Sequence, residues 1–129
     1  METIKPSPNS PIGIFDSGLG GLTVLKSLEK ILPNESFIYF GDTAHVPYGT
    51  KSAETVIRYS QHIMDFFLKH ETKAVVIACN TASAVAFQHL KQIYNIPLFD
   101  VVTPSVEYSI NITKSKNVGV VGTFSTIQS

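Results

Sequence analysis

The chain has one cysteine, one arginine and no surplus of charge of either sign. Each scarcity excludes something. A single thiol, Cys79, permits no internal disulfide and no paired-cysteine metal site. A single guanidinium, Arg58, leaves no arginine clamp for anions. Ten basic and ten acidic residues cancel, so no basic face is available for nucleic acid or an anionic membrane. No apolar run approaches the roughly 20 residues that cross a bilayer. No signal-peptide pattern opens the sequence, and together with the lone thiol this is expected of a reducing cytoplasm. There is no short internal repeat. The one biased tract is residues 1–11, rich in proline and serine, which read as a disordered lead-in.

What is present is ordinary in bulk and patterned in detail. The 129 residues are 43% hydrophobic and 16% charged, enough for one domain with a real core. Apolar, β-branched runs alternate with stretches of helical period. Strands are expected at residues 12–15, 36–40, 73–77, 98–102 and 117–121. Helices are expected at 22–32, from a cap at Ser52 to about residue 70, at 84–94, and after Thr103-Pro104, with Thr103 as cap and Pro104 at the first helical position. In that last helix Val106, Ile110 and Ile112 are expected to face inward. The alternation predicts an α/β fold: a mostly parallel sheet flanked by helices, with right-handed crossovers. The chain stops after a strand-end loop where the pattern calls for a helix, so the expectation is an incomplete α/β unit.

Four polar loops fall at strand carboxyl ends, which converge on one edge of a parallel sheet. They are Asp16-Ser17-Gly18, Asp42-Thr43 through Gly49, Cys79-Asn80-Thr81 and Gly122-Thr123. Between them stand carboxylates, hydroxyls, an amide and a thiol, with almost no cation. That set suits a small polar ligand held by backbone N–H groups and hydroxyls. Cys79 sits where a strand hands over to a helix, a place whose dipole favours a thiolate; a lone buried cysteine is otherwise a small hydrophobe. The glycine-rich loop does not complete a dinucleotide fingerprint, because Thr23 stands where the third glycine belongs. No phosphate-binding Gly-Lys-Ser/Thr loop occurs, and no arginine follows Cys79 as a cysteine phosphatase requires. Asp42 reads as a loop hydrogen-bonding residue, Tyr48 is open between packing and ligand contact, and His45 and His62 have no second ligand at metal spacing.

Several stretches together resemble one family. Phe15-Asp16-Ser17-Gly18-Leu19-Gly20-Gly21-Leu22-Thr23-Val24-Leu25, Tyr39-Phe40-Gly41-Asp42-Thr43-Ala44 with Val46-Pro47-Tyr48-Gly49, Ala78-Cys79-Asn80-Thr81-Ala82-Ser83, and Val118-Gly119-Val120-Val121-Gly122-Thr123 with Thr126-Ile127 and Ser129 are similar to the glutamate racemases of the aspartate/glutamate racemase superfamily. The resemblance covers residues 12–129 in order. It implies a cofactor-independent, two-base racemisation of glutamate, providing D-glutamate for peptidoglycan in the cytoplasm. Carried over by motif, Cys79 is the first proton-transferring thiol and Asp16 assists it. Ser17, Tyr48, Gly49, Asn80, Thr81 and Thr123 hold the substrate. The implied partners are glutamate and, for the full-length parent, a second copy. His45 stands where many members have arginine. The family's second cysteine lies in a Gly-Cys-Thr-His stretch beyond the length of this chain. The resemblance therefore implies an N-terminal half: 12–97 as a first domain lacking its completing segment, and 98–129 as the start of a second. The alternative is a non-catalytic fragment that binds a ligand or a partner.

Overall fold

A computed structural model describes residues 7–129. Four parallel strands form one sheet: β1 (Ile12–Asp16), β2 (Phe37–Gly41), β3 (Ala74–Ile77) and β4 (Leu98–Asp100), in the spatial order β2-β1-β3-β4. The helices between them are α1 (Leu22–Ile31), α2 (Ala53–Lys69) and α3 (Asn80–Ile93). After β4 come α4 (Val102–Ile112) and a single-turn α5 (Phe124–Ile127). β1 and β3 are central, which is why their sequences are nearly continuous apolar runs.

The strand order reverses direction once. From β1 the chain steps to β2 on one side, then returns past β1 to β3 on the other. With right-handed crossovers, α1 lies on one face of the sheet and α2 and α3 on the opposite face. The register agrees: Phe15, Val75, Ile77 and Leu98 pack with Val56, Ile63, Met64 and Phe67 of α2 and with Ala82, Ala86 and Leu90 of α3. This is the main core. The face under α1 is thinner, and α1 has no fully buried residue. Ser52 caps α2 as its sequence predicts, accepting the Thr55 N–H at 3.3 Å.

Several elements differ from expectation. Part of the lead-in, residues 1–6, lies outside the described residues, and residues 7–11 are tied down. Ser10 is buried, the Pro11 carbonyl accepts the Lys73 N–H, and the Lys73 ammonium bonds the Pro8 carbonyl and Glu35. The Cys79 helix begins at Asn80, four residues early. Strand β4 is only three residues long, shorter than the expected 98–102, and pairs in parallel with β3. α4 starts at Val102, and its cap is the Asp100 carboxylate, which accepts the N–H groups of Val102 and Thr103 at 2.9 and 2.8 Å. Thr103 is therefore inside the helix, and Pro104 occupies a first-turn position where no N–H is required. Val106, Ile110 and Ile112 face outward, each more than half exposed. Residues 117–121 form no strand. Their propensity is apolar and β-branched, but a ladder needs a neighbour, and none pairs with them among the described residues. The loop expected at 122–126 closes into α5, with the Thr123 hydroxyl as its cap.

Candidate active site

The reversal in strand order decides where a site can form. Loops leaving β1 and β3 depart to opposite faces of the sheet, and a crevice opens between them at the strand carboxyl ends. The registers place Phe15 beside Ile77, so Asp16-Ser17 and Ala78-Cys79 flank that crevice, and the Ala78 N–H donates to the Phe15 carbonyl at 2.8 Å. A cleft of about 1350 Å³ occupies it, lined on one side by residues 16–20 and on the other by Cys79, Asn80 and Thr81. Its far wall is α4 with residues 118–123. No lysine, arginine or histidine is among its lining residues; its charged groups are Asp16 and Asp100.

Asp16 is buried at the end of β1, and one carboxylate oxygen accepts the N–H groups of Gly18 and Gly21, both at 3.1 Å. Charge-assisted bonds of this kind fix a buried carboxylate in place. Gly21 has to be glycine: a Cβ there would stand 2.7 Å from the Asp16 Cβ and 2.9 Å from the Ala78 Cβ, so α1 starts hard against both strands. Tyr39 completes the loop by donating its hydroxyl to the Gly18 carbonyl at 2.9 Å. Burial raises the Tyr39 pKa above its ordinary value, and the charges of Asp16 and Cys79 push in the same direction. It stays a protonated donor.

Cys79 is the N-cap of α3. Its sulfur accepts the Ala82 N–H at 3.5 Å, and its thiol donates to the Ser17 hydroxyl at 3.5 Å. Only 6% of the residue is exposed. Asn80 is exposed at the cleft, whereas Thr81 is buried and its hydroxyl stands 3.0 Å from that of Thr123. Ser83 turns away, donating to the Ile77 carbonyl and accepting the Val101 N–H, a brace between β3 and the entry to α4.

The structure thus gathers six of the eight expected site residues, Asp16, Ser17, Cys79, Asn80, Thr81 and Thr123, around one cleft. Tyr48 and Gly49 do not line it. Tyr48 is 1% exposed, packed in the core, and donates its hydroxyl to Asp42 at 2.6 Å. Burial, then that bond and the Asp42 charge, raise its pKa far above the ordinary value. Gly49 backs onto the Thr123 side chain. His45 bonds Asp42 through Nδ1 at 2.8 Å and stacks one ring face on Tyr59. Among the described residues no three His, Cys, Asp or Glu side chains come together as a metal site, and no helix is long and apolar enough to cross a membrane. The role of Tyr39 in bracing the site has no signal in the sequence, since it acts through one hydroxyl contact that no spacing reveals.

Residues 12–129 match the family model described as Asp/Glu/Hydantoin racemase. The chain is 55% identical over 122 residues to the glutamate racemase of Geobacter metallireducens, covering 95% of this chain and 45% of that protein. It is similar to a crystal structure of the Francisella tularensis glutamate racemase in complex with D-glutamate (48% identity, TM-score 0.84, 93% of this chain and 45% of that one). It is also similar to the Escherichia coli glutamate racemase crystallised with L-glutamate and the activator UDP-MurNAc-ala (31% identity, TM-score 0.80, 92% and 45%). The chain spans about half the length of the relatives it matches. With the family model matching nearly every residue from the first strand onward, the chain belongs to the Asp/Glu/hydantoin racemase family.

Proposed function

We propose that this chain carries one of the two proton-transfer faces of a cofactor-independent glutamate racemase. The observation that supports this most is the crevice at the reversal in strand order, with a capping thiol on one side and a pinned carboxylate on the other. In this reading Cys79 acts as thiolate base on the α-carbon of glutamate. The C–H bond breaks, its electron pair delocalises into the adjoining carboxylate, and the proton passes to sulfur with Asp16 assisting. The start of α3 favours an anionic substrate. Ser17, Asn80, Thr81 and Thr123 hold the substrate's polar groups by hydroxyl and amide contacts. The Tyr48–Gly49 turn supports them from behind.

Inversion needs a second acid on the opposite face of the same carbon. Cys79 is the only thiol of the 129 residues, so that group comes from elsewhere in the racemase assembly. Residues 12–97 then hold the first base, and 98–129 begin the opposite wall. The reading places the protein in the cytoplasm, where a free thiol stays reduced, and assigns its product to peptidoglycan. The homodimeric parent also belongs to this reading. Relatives bound to D-glutamate and to L-glutamate support the substrate.

The experiment is alkylation of Cys79 by iodoacetamide with and without ligand. Both glutamate enantiomers are expected to slow the reaction, and leucine is not. Equal protection by leucine, or none by glutamate, contradicts the substrate assignment.

A further inference from the structure

A buried carboxylate outside the cleft is unused by the chemistry above. Asp42 is 7% exposed, and a charge so placed requires partners. It has two, both on the loop that follows it. Tyr48 donates its hydroxyl to Oδ2 at 2.6 Å, and His45 Nδ1 lies 2.8 and 2.9 Å from the two oxygens. The main-chain N–H of Asp42 in turn donates to the Asp16 carbonyl at 2.9 Å, which fixes the loop to the end of β1. The His45 ring stacks on Tyr59 of α2, with centroids 4.1 Å apart, and Tyr48 stands 5.9 Å from the same ring. One carboxylate therefore braces the whole turn between the sheet edge and α2.

The turn ends at Gly49, and Gly49 touches the cleft wall. A Cβ there would stand 2.5 Å from Thr123 Cγ2, so the Thr123 methyl rests directly on the bare Cα. From that seat the Thr123 hydroxyl reaches Thr81 at 3.0 Å and Thr126 at 2.9 Å. Thr81 is two residues from Cys79 on the first turn of α3. An unbroken line of contacts runs from Asp42 through Tyr48 and Gly49 to the hydroxyls beside the thiol.

We infer that Asp42 is a positioning residue: its carboxylate sets the Tyr48–Gly49 turn, and the turn sets where the Thr123 hydroxyl stands against Thr81. Its consequence for ligand binding rests on the substrate reading above; its geometry does not. Two donors converge on Asp42, and an amide at that position has one acceptor oxygen. Asp42→Asn keeps the Tyr48 bond, and Asp42→Ala keeps neither.

The test uses the full chain, isotopically labelled, with two readouts. In wild type an NOE is expected between the Gly49 Hα protons and the Thr123 methyl. Asp42→Asn is expected to retain it. Asp42→Ala is expected to lose it and to shift the Thr81 and Thr123 methyl resonances. The second readout is Cys79 alkylation. For Asp42→Ala the rate without ligand is expected to stay within about twofold of wild type, while the glutamate concentration giving half protection rises about tenfold, the effect of one lost charge-assisted bond. A purely structural role would instead raise the unprotected rate as the thiol opens to solvent. If Asp42→Ala unfolds, Tyr48→Phe carries the NOE test, and loss of the contact supports the inference. A Gly49–Thr123 contact that survives in every folded variant lacking the Tyr48–Asp42 bond overturns it. Absence of glutamate protection in wild type overturns the substrate reading alone, and the NOE comparison still decides the positioning role.

Discussion

Cys79 has two jobs that substitution can separate. Its sulfur caps α3 and its thiol faces the cleft. Serine is a better cap than cysteine, whereas alanine caps nothing. Cys79→Ser is expected to match or exceed wild-type stability in urea, and Cys79→Ala to lose about 1 kcal/mol. Equal stability of the serine and alanine variants would show that the sulfur does not cap. The buried tyrosines give a second residue-scale prediction. Burial raises the pKa of Tyr39, Tyr48 and Tyr94, and hydrogen bonds to Asp42 and Asp65 add to it for the latter two. The folded chain keeps protons that the unfolded chain releases near pH 10. The stability these groups contribute is complete below about pH 10 and is lost as pH rises beyond it. Spectrophotometric titration at high pH is expected to show tyrosine ionisation that lags beyond the ordinary phenol range of about 10 and completes only with unfolding. Tyr48→Phe should reduce that lag. Simultaneous, ordinary titration of all five tyrosines would contradict the burial argument.

Among the elements, α2 makes the largest commitment to the core. Phe67 is fully buried against β1 and β3, and Phe67→Ala is expected to cost about 3–5 kcal/mol by chemical denaturation. A loss under about 1 kcal/mol would mean that the α2 face is not the core. The first three strands and first three helices are legible in the sequence because each agrees with itself at two levels: apolar period, and a capping or breaking residue at the end. The cleft residues at 16, 17, 79, 80 and 81 follow from the same reading, since strand-end loops of a parallel sheet have to converge. The failures share a cause. Residues 117–121 look like a strand by composition, but pairing is not a local property. Val106, Ile110 and Ile112 look like an inward stripe, but nothing in a stripe says what it packs against. Asp100 displaced Thr103 as the α4 cap because a carboxylate two residues before the helix reaches two N–H groups at once. The Asp42 brace depends on a turn geometry that no spacing encodes.

At the scale of the whole molecule, the surface beyond β4 is apolar and open. Val106, Ile110, Val120, Val121 and Phe124 are each at least half exposed, and residues 118–121 belong to no strand. Such surface favours association. Sedimentation is expected to show mass rising with concentration, and charged substitutions at Val121 and Phe124 to suppress it. A concentration-independent monomer would contradict the prediction. In the proposed reaction Cys79 serves one face of the substrate α-carbon and only one. Losing an essential acid or base costs about 10²–10⁴-fold. The most direct measurement follows L- and D-glutamate in D₂O by optical rotation and α-proton NMR, first with this chain alone. The incubation is then repeated after adding, as a separate polypeptide, the unmatched portion of the Geobacter metallireducens relative. No inversion is expected from the chain alone. Inversion should appear on adding the second polypeptide and vanish when Cys79→Ser replaces wild type. Inversion by the chain alone at the complemented rate, or complementation undiminished by Cys79→Ser, would contradict the account.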